Sequence, residues 1–353
     1  MIRFGLVSFA HVHSAGYAAS LRIIYENDKD CAKLTAISDP EPARGEPKAQ
    51  EHGAKFFQDY REMINSGEVD AVIISSENAR HVDEVFAAAQ AKVHVICEKP
   101  IATTQEQIER MRQSVESSQI VFQTAFVCRY IPSVIEAKEI IDGGTYGAIR
   151  AISATNHGKY PGGWFADKEQ AGGGAIIDHT VHAADVIRML TRDEFKSITA
   201  FKGRNLRPEI AVEDNAIIYA RMYKTNIPVS IDCSWSRADK WPTWGDLQIS
   251  IFCDKGTIKI DGFRPRINVA TTNGFYWHSL GEDLNIKLIR AFVAAVNEKM
   301  GGRGAAAGTP VTGPSELDPA LRAGFEDGAR AAMVAISAYK SIDANSQPVV
   351  QFN

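Results

Sequence analysis

The sequence predicts a doubly wound parallel α/β domain over residues 1–126 and, over residues 127–353, an α+β domain with a large, mainly antiparallel open sheet. Up to about residue 126, short apolar runs rich in β-branched residues alternate with helical segments, which is typical of a parallel sheet. Beyond that point, apolar and polar residues alternate along the strands with a period of two, which favours an antiparallel sheet. A chain of 353 residues is long enough to bury two separate cores.

The first domain is predicted from four strands and the helices between them. Helices are expected through residues 18–21, in a segment whose start is surrounded by the prolines at 40, 42 and 47, through 82–89, and after a capping box made by Thr103 and Glu106. Pro100 has no N–H to donate to a sheet ladder, so the fourth strand should end beside it. The four predicted strands are residues 2–7, 34–39, 69–74 and 93–97.

In the second domain, the segment 229–235 shows the alternation most clearly. Val229, Ile231, Cys233 and Trp235 share one face of the predicted strand, and serines and an aspartate share the other. One apolar and one polar face predict a strand with one side buried. The other predicted elements are a helix at 132–141, strands at 216–223 and 247–253, a Gly/Ala loop at 301–308 and a final helix at 321–339.

Composition and charge exclude several classes of partner. With 39 Lys and Arg against 43 Asp and Glu, the net charge is −4, which offers no basic surface for nucleic acid. No apolar run approaches the roughly 20 residues that cross a bilayer, so no membrane partner is expected. The first apolar stretch is too short for a signal peptide. The five cysteines are scattered without a Cys-x-x-Cys pair, which predicts reduced thiols in a cytoplasmic protein.

The loop after the first strand departs from a well-known pattern. Dinucleotide-binding sheets carry Gly-x-Gly-x-x-Gly here, because glycines let the backbone approach a pyrophosphate. This chain has Ser8, Ala10 and His13 at the three positions, with Phe9 and His11 between them. Ser8 and Ala10 are small enough to permit that approach, and His13 at a helix start could face a phosphate. From the loop alone, dinucleotide binding and its absence both stay open.

Asp39 supports dinucleotide binding independently. It ends the second strand, where a carboxylate can accept hydrogen bonds from a ribose diol. A 2′-phosphate would meet like charge there, so NAD is favoured over NADP. The alternative is that Asp39 is a turn residue before Pro40. Arg44, five residues on, is interpreted as a solvated residue of a helix.

Two further segments carry groups that can transfer protons. Lys99, in Glu98-Lys99-Pro100, follows a strand of the parallel sheet, and the carboxyl ends of such strands are where α/β sheets bind ligands. Asp178 and His182 follow three glycines and share one helix face, where a carboxylate favours a protonated imidazole. The alternatives are a solvated Glu-Lys pair and a structural Asp/His pair. The spacing of Asp178 and His182 also suits two metal ligands, but the sequence offers no third ligand nearby, so no metal site is expected.

Together, these segments resemble the Gfo/Idh/MocA oxidoreductases over nearly the whole chain. The resemblance includes Asn78 and His81 after the third strand, Glu98-Lys99-Pro100, the glycines with Asp178 and His182, residues 212–215 and the closing segment 313–349. It implies a Rossmann-type first domain and an NAD(P)-dependent dehydrogenase acting on CH–OH groups. The substrate class would be a sugar, a polyol such as an inositol, or a sugar derivative.

Roles for individual residues follow from the same resemblance. Lys99 and His182 would share the proton of one substrate hydroxyl, and Asp178 would orient His182 or bind a hydroxyl. The chain is expected to form a dimer or tetramer through the open sheet. Predicted cofactor contacts are Ser8, Phe9, Ala10, His11, His13, Asp39, Ser76, Asn78, His81, Glu98 and Lys99. Predicted substrate contacts are Arg129, Asn156, Tyr160, Trp164, Asp178 and His182, with Trp164 open to interpretation as a core residue.

Two functions of other classes stay open at this point. One is a redox-cycling NAD-dependent glycoside hydrolase or lyase, which returns the hydride to its product. The other is a non-catalytic regulator that binds a dinucleotide or a sugar. Lys99 together with Asp178 and His182 argues against the regulator, because a binding module does not need a set of proton-transferring groups.

Overall fold

The computed structural model describes residues 1–263, 266–271, 274–279, 283–301 and 319–351. The chain forms two compact units. Unit 1 comprises Met1–Tyr130 and Glu282–Gly328, and unit 2 comprises Ile131–Gly281 and Ala329–Asn353. The first boundary lies close to the predicted division at residue 126, but the return of 282–328 to unit 1 was not predicted. The assignment of cofactor and substrate roles to residues 1–126 and 127–353 stays a prediction.

The elements follow one another in an order that separates the two sheets. The first part of the chain contains β1 (Ile2–Val7), α1 (Ser14–Asn27), β2 (Ala32–Ser38), α2 (Pro42–His52), β3 (Lys55–Phe57), α3 (Tyr60–Asn65), β4 (Ala71–Ile74), α4 (His81–Gln90), β5 (His94–Cys97), α5 (Gln105–Ser118) and β6 (Phe122–Thr124). It is followed by α6 (Pro132–Asp142), β7 (Ile149–Thr155), α7 (Lys168–Ala171), α8 (Ala175–Thr191), β8 (Phe195–Lys202), β9 (Ala216–Met222), β10 (Pro228–Asp232), β11 (Gln248–Cys253), β12 (Gly256–Asp261), β13 (Arg266–Thr271), β14 (Gly274–Ser279), α9 (Leu284–Lys299), α10 (Phe325–Asp343) and β15 (Val349–Val350).

The sheet of unit 1 has the order β3-β2-β1-β4-β5-β6, and every pairing in it is parallel. The strand order reverses between β1 and β4, and in open α/β sheets ligands bind at the carboxyl ends of the strands at such a point. Phe4, Leu6, Ile73 and Val95 are fully buried, as expected for strands with helices on both faces. The predicted doubly wound parallel sheet is confirmed.

The sheet of unit 2 has the order β12-β11-β7-β10-β9-β8-β15. β7 pairs with β10 in parallel, and the other pairings are antiparallel. Val229 and Ile231 of β10, and Cys233 and Trp235 after it, are buried as the alternation predicts. Helix α8 packs on β7 and β10. The predicted mainly antiparallel sheet is therefore confirmed.

Two local predictions differ from the structure, and two others fall in part on residues that it does not describe. The capping box of α5 is made by Thr104 and Gln107, one residue later than predicted, because the Gln107 side chain accepts from the Thr104 N–H while Thr104 accepts from the Gln107 N–H. The final helix begins at Phe325 rather than at residue 321 and ends at Asp343. The predicted Gly/Ala loop, from residue 302 onward, and the start of the segment 313–349 lie outside the described residues.

Among the described helices, none combines the length and the apolar character that crossing a bilayer requires.

Candidate functional site

The loop between β1 and α1 begins with a strained residue. Ser8 has φ +69°, in the left-handed region where glycine is the usual residue, and it is fully buried. Its N–H donates to the Ser38 carbonyl at 2.7 Å, and its Oγ accepts from the Ala10 N–H at 3.1 Å. The backbone therefore makes the turn that the first glycine of the usual motif would make. The residues present fit a dinucleotide pyrophosphate at the start of α1.

Asp39 lies at the carboxyl end of β2 and is fully buried. Its Oδ2 accepts from the Phe9 N–H at 2.8 Å, and its Oδ1 accepts from the Glu41 N–H at 2.9 Å. The Arg44 guanidinium donates to both oxygens, each at 2.8 Å. The interpretation of Arg44 as a solvated residue was wrong, because its side chain is only 26% exposed and ion-paired. An arginine thus stands beside the carboxylate predicted to meet a ribose.

The three predicted cofactor residues that follow β4 are all buried. Ser76 donates from its Oγ to Glu84 Oε2 at 2.5 Å, and Asn78 opens a short 3-10 turn with 2% of its surface exposed. The His81 ring lies 2.9 Å from the Pro100 carbonyl at Nδ1 and 3.3 Å from the Ser76 carbonyl at Nε2. Burial lowers the pKa of His81, which favours a neutral ring. His81 therefore ties the end of β4 to the segment after β5.

Glu98 and Lys99 follow β5 and are also buried, with 0% and 3% exposure. The Lys99 N–H donates to Glu98 Oε2 at 2.9 Å, and the peptide bond between Lys99 and Pro100 is cis. Burial would raise the pKa of Glu98, but the rings of His11 and His13 beside it, with Lys99, hold that pKa well below its usual range. Glu98 is thus a buried, ionised carboxylate at the carboxyl edge of the unit 1 sheet.

In unit 2, the glycines before α8 are explained by close packing. A Cβ on Gly173 would lie 1.9 Å from Tyr339 Oη, and one on Gly174 would lie 1.9 Å from the Glu213 carbonyl oxygen. Glu213 Oε1 accepts from the N–H groups of Gly174 and Ile176, each at 3.0 Å, and from the Tyr339 hydroxyl at 2.7 Å. Glu213 therefore caps the helix that carries Asp178 and His182.

We expect Glu213→Ala to destabilise unit 2 by about 2–4 kcal/mol, because the Ile176 N–H and the Tyr339 hydroxyl would lose this acceptor and the Gly174 N–H would keep only its 3.2 Å bond to Tyr339 Oη. Tyr339→Phe removes one of the three bonds to Glu213, and with it the 3.2 Å bond that the Gly174 N–H donates to the Tyr339 hydroxyl, and should cost about 1–2 kcal/mol. Denaturant unfolding of both variants, followed by circular dichroism, measures the two changes. Equal losses in the two variants would contradict a capping role for the carboxylate.

Asp178 is 5% exposed and contacts Trp235 and His179 within unit 2. Its Oδ2 accepts from the Trp235 indole N–H at 3.0 Å and lies 3.2 Å from His179 Nε2. His179 Nδ1 lies 2.8 Å from the Asn156 carbonyl, so both ring nitrogens of His179 face oxygen acceptors. The sequence analysis paired Asp178 with His182, which is 9% exposed on the same helix, and did not anticipate the contacts with His179 and Trp235. Asp178 is fixed from two sides, as an orienting group requires.

The predicted substrate contacts fall into both units. Tyr160 and Trp164 are partly buried in unit 2 against a core cluster that contains Trp235, and Trp164 stacks on Phe165 with ring centroids 3.9 Å apart. Asn156 donates from its amide to the Asp246 carbonyl at 2.5 Å. Arg129 belongs to unit 1, where it is 3% exposed and pairs with Asp327 at 3.0 Å. Their roles toward a substrate stay predictions.

An ionic cluster lies at one end of β7, β10 and β11 in unit 2. His157 Nε2 is 3.0 Å from Asp232 Oδ2, and His157 Nδ1 is 3.1 Å from Asp246 Oδ2, which Arg237 also contacts. Burial would lower the pKa of His157, but hydrogen bonds to the two carboxylates outweigh it and raise the pKa to about 9. The imidazolium therefore holds three strand ends together at neutral pH.

This cluster predicts a loss of stability at alkaline pH. Because the folded-state pKa of His157 lies above the unfolded value of 6.5, its stabilisation is complete below 6.5 and is lost as the pH rises through about 9. We expect a loss of about 2 kcal/mol between neutral and strongly alkaline pH. Urea unfolding of the wild type and His157→Gln over that range measures it, and an equal pH dependence in the variant would contradict the assignment.

Two family models match the chain, one in each part. The model described as "Oxidoreductase family, NAD-binding Rossmann fold" matches residues 14–126. The model described as "GFO/IDH/MocA C-terminal domain" matches residues 134–259. Together they span most of the described chain and include Asp39, Glu98, Lys99, Asp178 and His182.

Similar proteins include enzymes that act on cyclic polyols and sugar derivatives. The myo-inositol 2-dehydrogenase of Thermotoga maritima is 28% identical over 275 residues, covering 76% of this chain and 78% of that protein. The 2,7-anhydro-N-acetylneuraminate hydratase of Escherichia coli is 27% identical and covers 74% of this chain and 68% of that protein. The structure of scyllo-inositol dehydrogenase from Lactobacillus casei, with NAD(H) and scyllo-inositol bound, shares the fold with a TM-score of 0.79, 21% identity and 99% coverage of both chains.

Proposed function

Because the chain belongs to the Gfo/Idh/MocA oxidoreductase family, we propose that it interconverts a secondary hydroxyl and a ketone on a sugar, a polyol such as an inositol, or a sugar derivative. The observation that carries the proposal is Lys99, a buried lysine at the carboxyl end of β5, on the edge of the sheet that also holds Ser8 and Asp39. A nearly buried amine there can exchange a proton with a substrate held at the same edge.

NAD would supply the hydride-transfer chemistry when it is bound. Ser8 and Ala10 would let the backbone approach its pyrophosphate, and Asp39 would lie at its ribose. Asp39 supports the preference for NAD over NADP, since its carboxylate repels a 2′-phosphate, whereas Arg44 beside it would attract one. The preference therefore depends on the pair rather than on Asp39 alone.

Proton transfer is assigned to Lys99 and His182. Lys99 would take or give the hydroxyl proton, and His182 would share that proton. The two residues would thus handle the proton only, and not the hydride. Asp178, fixed by Trp235 and adjacent to His179, would orient the substrate or His182. Asn156, Tyr160 and Trp164 offer amide and aromatic groups of the kind that bind sugar hydroxyls and stack on sugar rings.

The direct test is a panel of sugars and cyclic polyols offered to the purified protein with NAD or with NADP, followed by NADH or NADPH absorbance. The proposal expects at least one polyol or sugar to give steady NADH formation. Lys99→Ala should slow it strongly, and Lys55→Ala, which replaces an exposed lysine of the same sheet, should leave it intact. Failure of every compound with both nucleotides, under conditions in which either nucleotide binds, would contradict a dehydrogenase.

A second candidate is the redox-cycling enzyme that returns the hydride to its product. It is favoured by the similarity to a protein named as a hydratase of an anhydro sugar acid. In that case substrate would be consumed at catalytic concentrations of NAD with no accumulation of NADH. Product analysis by mass spectrometry in the same panel separates the two candidates.

The exposed face of the unit 2 sheet supports the proposal that a second copy of this chain covers it. Phe201, Ile217, Tyr219 and Phe252 are 43–55% exposed on that face, and Phe201 and Tyr219 form a ring contact across β8 and β9. Exposed aromatic patches of this kind are typical of interfaces between identical subunits. We expect a dimer or tetramer by light scattering, and Tyr219→Lys with Phe201→Glu should shift it toward monomer. A wild-type monomer at micromolar concentration would contradict the proposal.

A further inference from the structure

Three side chains with metal-binding groups converge in the loop where the usual motif has glycines. His11 and His13 lie between β1 and α1, and Glu98 follows β5, two strands away in the same sheet. One ligand atom from each residue lies within 4.8 Å of the other two. His13 Nδ1 is 2.8 Å from Glu98 Oε1, and His11 Nδ1 is 4.0 Å from the same oxygen. Two imidazoles thus face one carboxylate oxygen, His13 at hydrogen-bond distance and His11 farther away.

The hydrogen bonds around the three side chains resemble those around the ligands of known metal sites. Tyr17, fully buried in α1, donates from its hydroxyl to Glu98 Oε1 at 2.5 Å, and the Lys99 N–H donates to Oε2. Such outer hydrogen bonds fix the orientation of ligating carboxylates in metalloproteins. His11 and Glu98 are buried, whereas the His13 side chain is 36% exposed. An ion could therefore reach the cluster from the side of His13.

We propose that His11, His13 and Glu98 bind one late first-row divalent cation, with Zn²⁺ the expected ion and one coordination position left for water. Imidazole nitrogens with a single carboxylate suit Zn²⁺, Co²⁺ or Ni²⁺, whereas Mg²⁺ and Ca²⁺ prefer sites built from oxygen ligands alone. Metal–ligand distances of about 2.0–2.2 Å place neighbouring ligand atoms of a tetrahedral ion about 3.3 Å apart. The two imidazole distances to Glu98 Oε1, 2.8 and 4.0 Å, lie on either side of that spacing, and no ligand atom is more than 4.8 Å from another, so side-chain rotations would complete the site.

Binding of the cation would replace hydrogen bonds that already hold the three side chains together. His11 Nδ1 now accepts from the His13 N–H at 3.2 Å, and a metal at this nitrogen would replace that long hydrogen bond. A metal on Glu98 Oε1 would likewise replace the contact with the His13 ring. The bound ion would link the loop after β1 to the end of β5, and it would stabilise unit 1 because it binds only the folded arrangement. This inference does not rest on the proposed function.

The test uses the full chain without a histidine tag, freed of metal with a chelator and then titrated with Co²⁺. We expect one equivalent of Co²⁺ to produce visible ligand-field absorption bands, and added Zn²⁺ to remove these bands by displacing the Co²⁺. Zn²⁺ should also raise the thermal unfolding temperature. His13→Gln should weaken Co²⁺ binding by at least about 10–100-fold, and Glu98→Gln should do the same. His52→Gln is the matched control, because His52 also lies beside a glutamate, with its Nε2 3.8 Å from Glu51 Oε1.

His13→Gln is the most informative variant, because the His13 ring is 36% exposed and its replacement leaves no cavity in the core. The proposal is overturned if Co²⁺ gives no bands at one equivalent. It is also overturned if His13→Gln, folded by circular dichroism, binds Co²⁺ as tightly as the wild type, or if His52→Gln weakens binding as much as His13→Gln does.

Discussion

Replacement of Lys99 by alanine is expected to lower turnover by roughly 10²–10⁴-fold, while the affinity for NAD stays nearly unchanged. The reason is that the amine, 3% exposed at the end of β5, is proposed to move the substrate proton and not to hold the nucleotide. His182→Ala should lower turnover in the same range. Steady-state kinetics with the best compound of the panel, together with NAD titration by fluorescence, separates the two parameters.

The two losses should combine to less than their sum in free energy, because both residues are proposed to serve one proton. The double variant therefore provides the sharper test. A double variant whose losses simply add would contradict shared proton transfer, and so would Lys99→Ala with unchanged turnover. Lys55→Ala controls for the loss of a positive charge from the same sheet, since that side chain is 57% exposed on β3.

Asp39→Ala is expected to shift the ratio of NAD to NADP affinity by about 10–100-fold toward NADP. Asp39 holds the Arg44 guanidinium with two hydrogen bonds of 2.8 Å, and its removal frees that guanidinium for a 2′-phosphate while removing the like charge. Asp39 also accepts from the Phe9 N–H, so the variant should weaken both nucleotides through the loop. Because this loss affects NAD and NADP equally, it does not change the ratio of the two affinities.

The double variant Asp39→Ala with Arg44→Ala isolates the role of the arginine. It lacks both charges, so its ratio should return most of the way toward the wild-type value. Titration of NAD and NADP against the wild type and the two variants measures the effect. If the double variant keeps the full shift of Asp39→Ala, Arg44 plays no part, and if Asp39→Ala leaves the ratio unchanged, the assignment of Asp39 to the ribose is contradicted.

Much of the fold could be predicted from the sequence, because the burial of each strand determines how apolar and polar residues follow one another along it. Strands buried on both faces, such as β4 and β5, appear as continuous apolar runs, and β10 shows strict alternation because only one face is covered. The return of 282–328 to unit 1 has no local signal, since it depends on contacts between residues far apart in the chain. The one-residue error at α5 arose because Thr103 and Thr104 are both good caps, and only the contacts of Gln107 select Thr104.

The sequence could place several candidate residues at strand ends and on a helix, but it could not give their contacts. Lys99 and Asp39 could be placed because strand ends of a parallel sheet meet at one edge. Arg44 was misinterpreted because an arginine in a helix is usually solvated, and nothing local shows that its side chain turns back to Asp39. Glu213 lies 35 residues after Asp178 in sequence, so its cap on α8 follows from the tertiary fold alone.

His11, His13 and Glu98 show the same limit. The His-x-His spacing is visible in the sequence, but the third proposed ligand follows 85 residues after His13, and no metal site was predicted. Only the parallel pairing of β1 with β4 and of β4 with β5 brings Glu98 to the loop. A search for metal-binding side chains at all the carboxyl strand ends of the predicted sheet would have included these three residues.

The central claim, hydride transfer between a secondary alcohol and NAD, is tested most directly with a substrate deuterated at its reacting carbon. The active compound of the panel is incubated with the protein and NAD, and both products are analysed by mass spectrometry. The proposed dehydrogenase predicts one deuterium in NADH for each ketone formed. Deuterium retained in a product without a ketone, with no labelled NADH, would contradict the claim and assign the chain to the redox-cycling class.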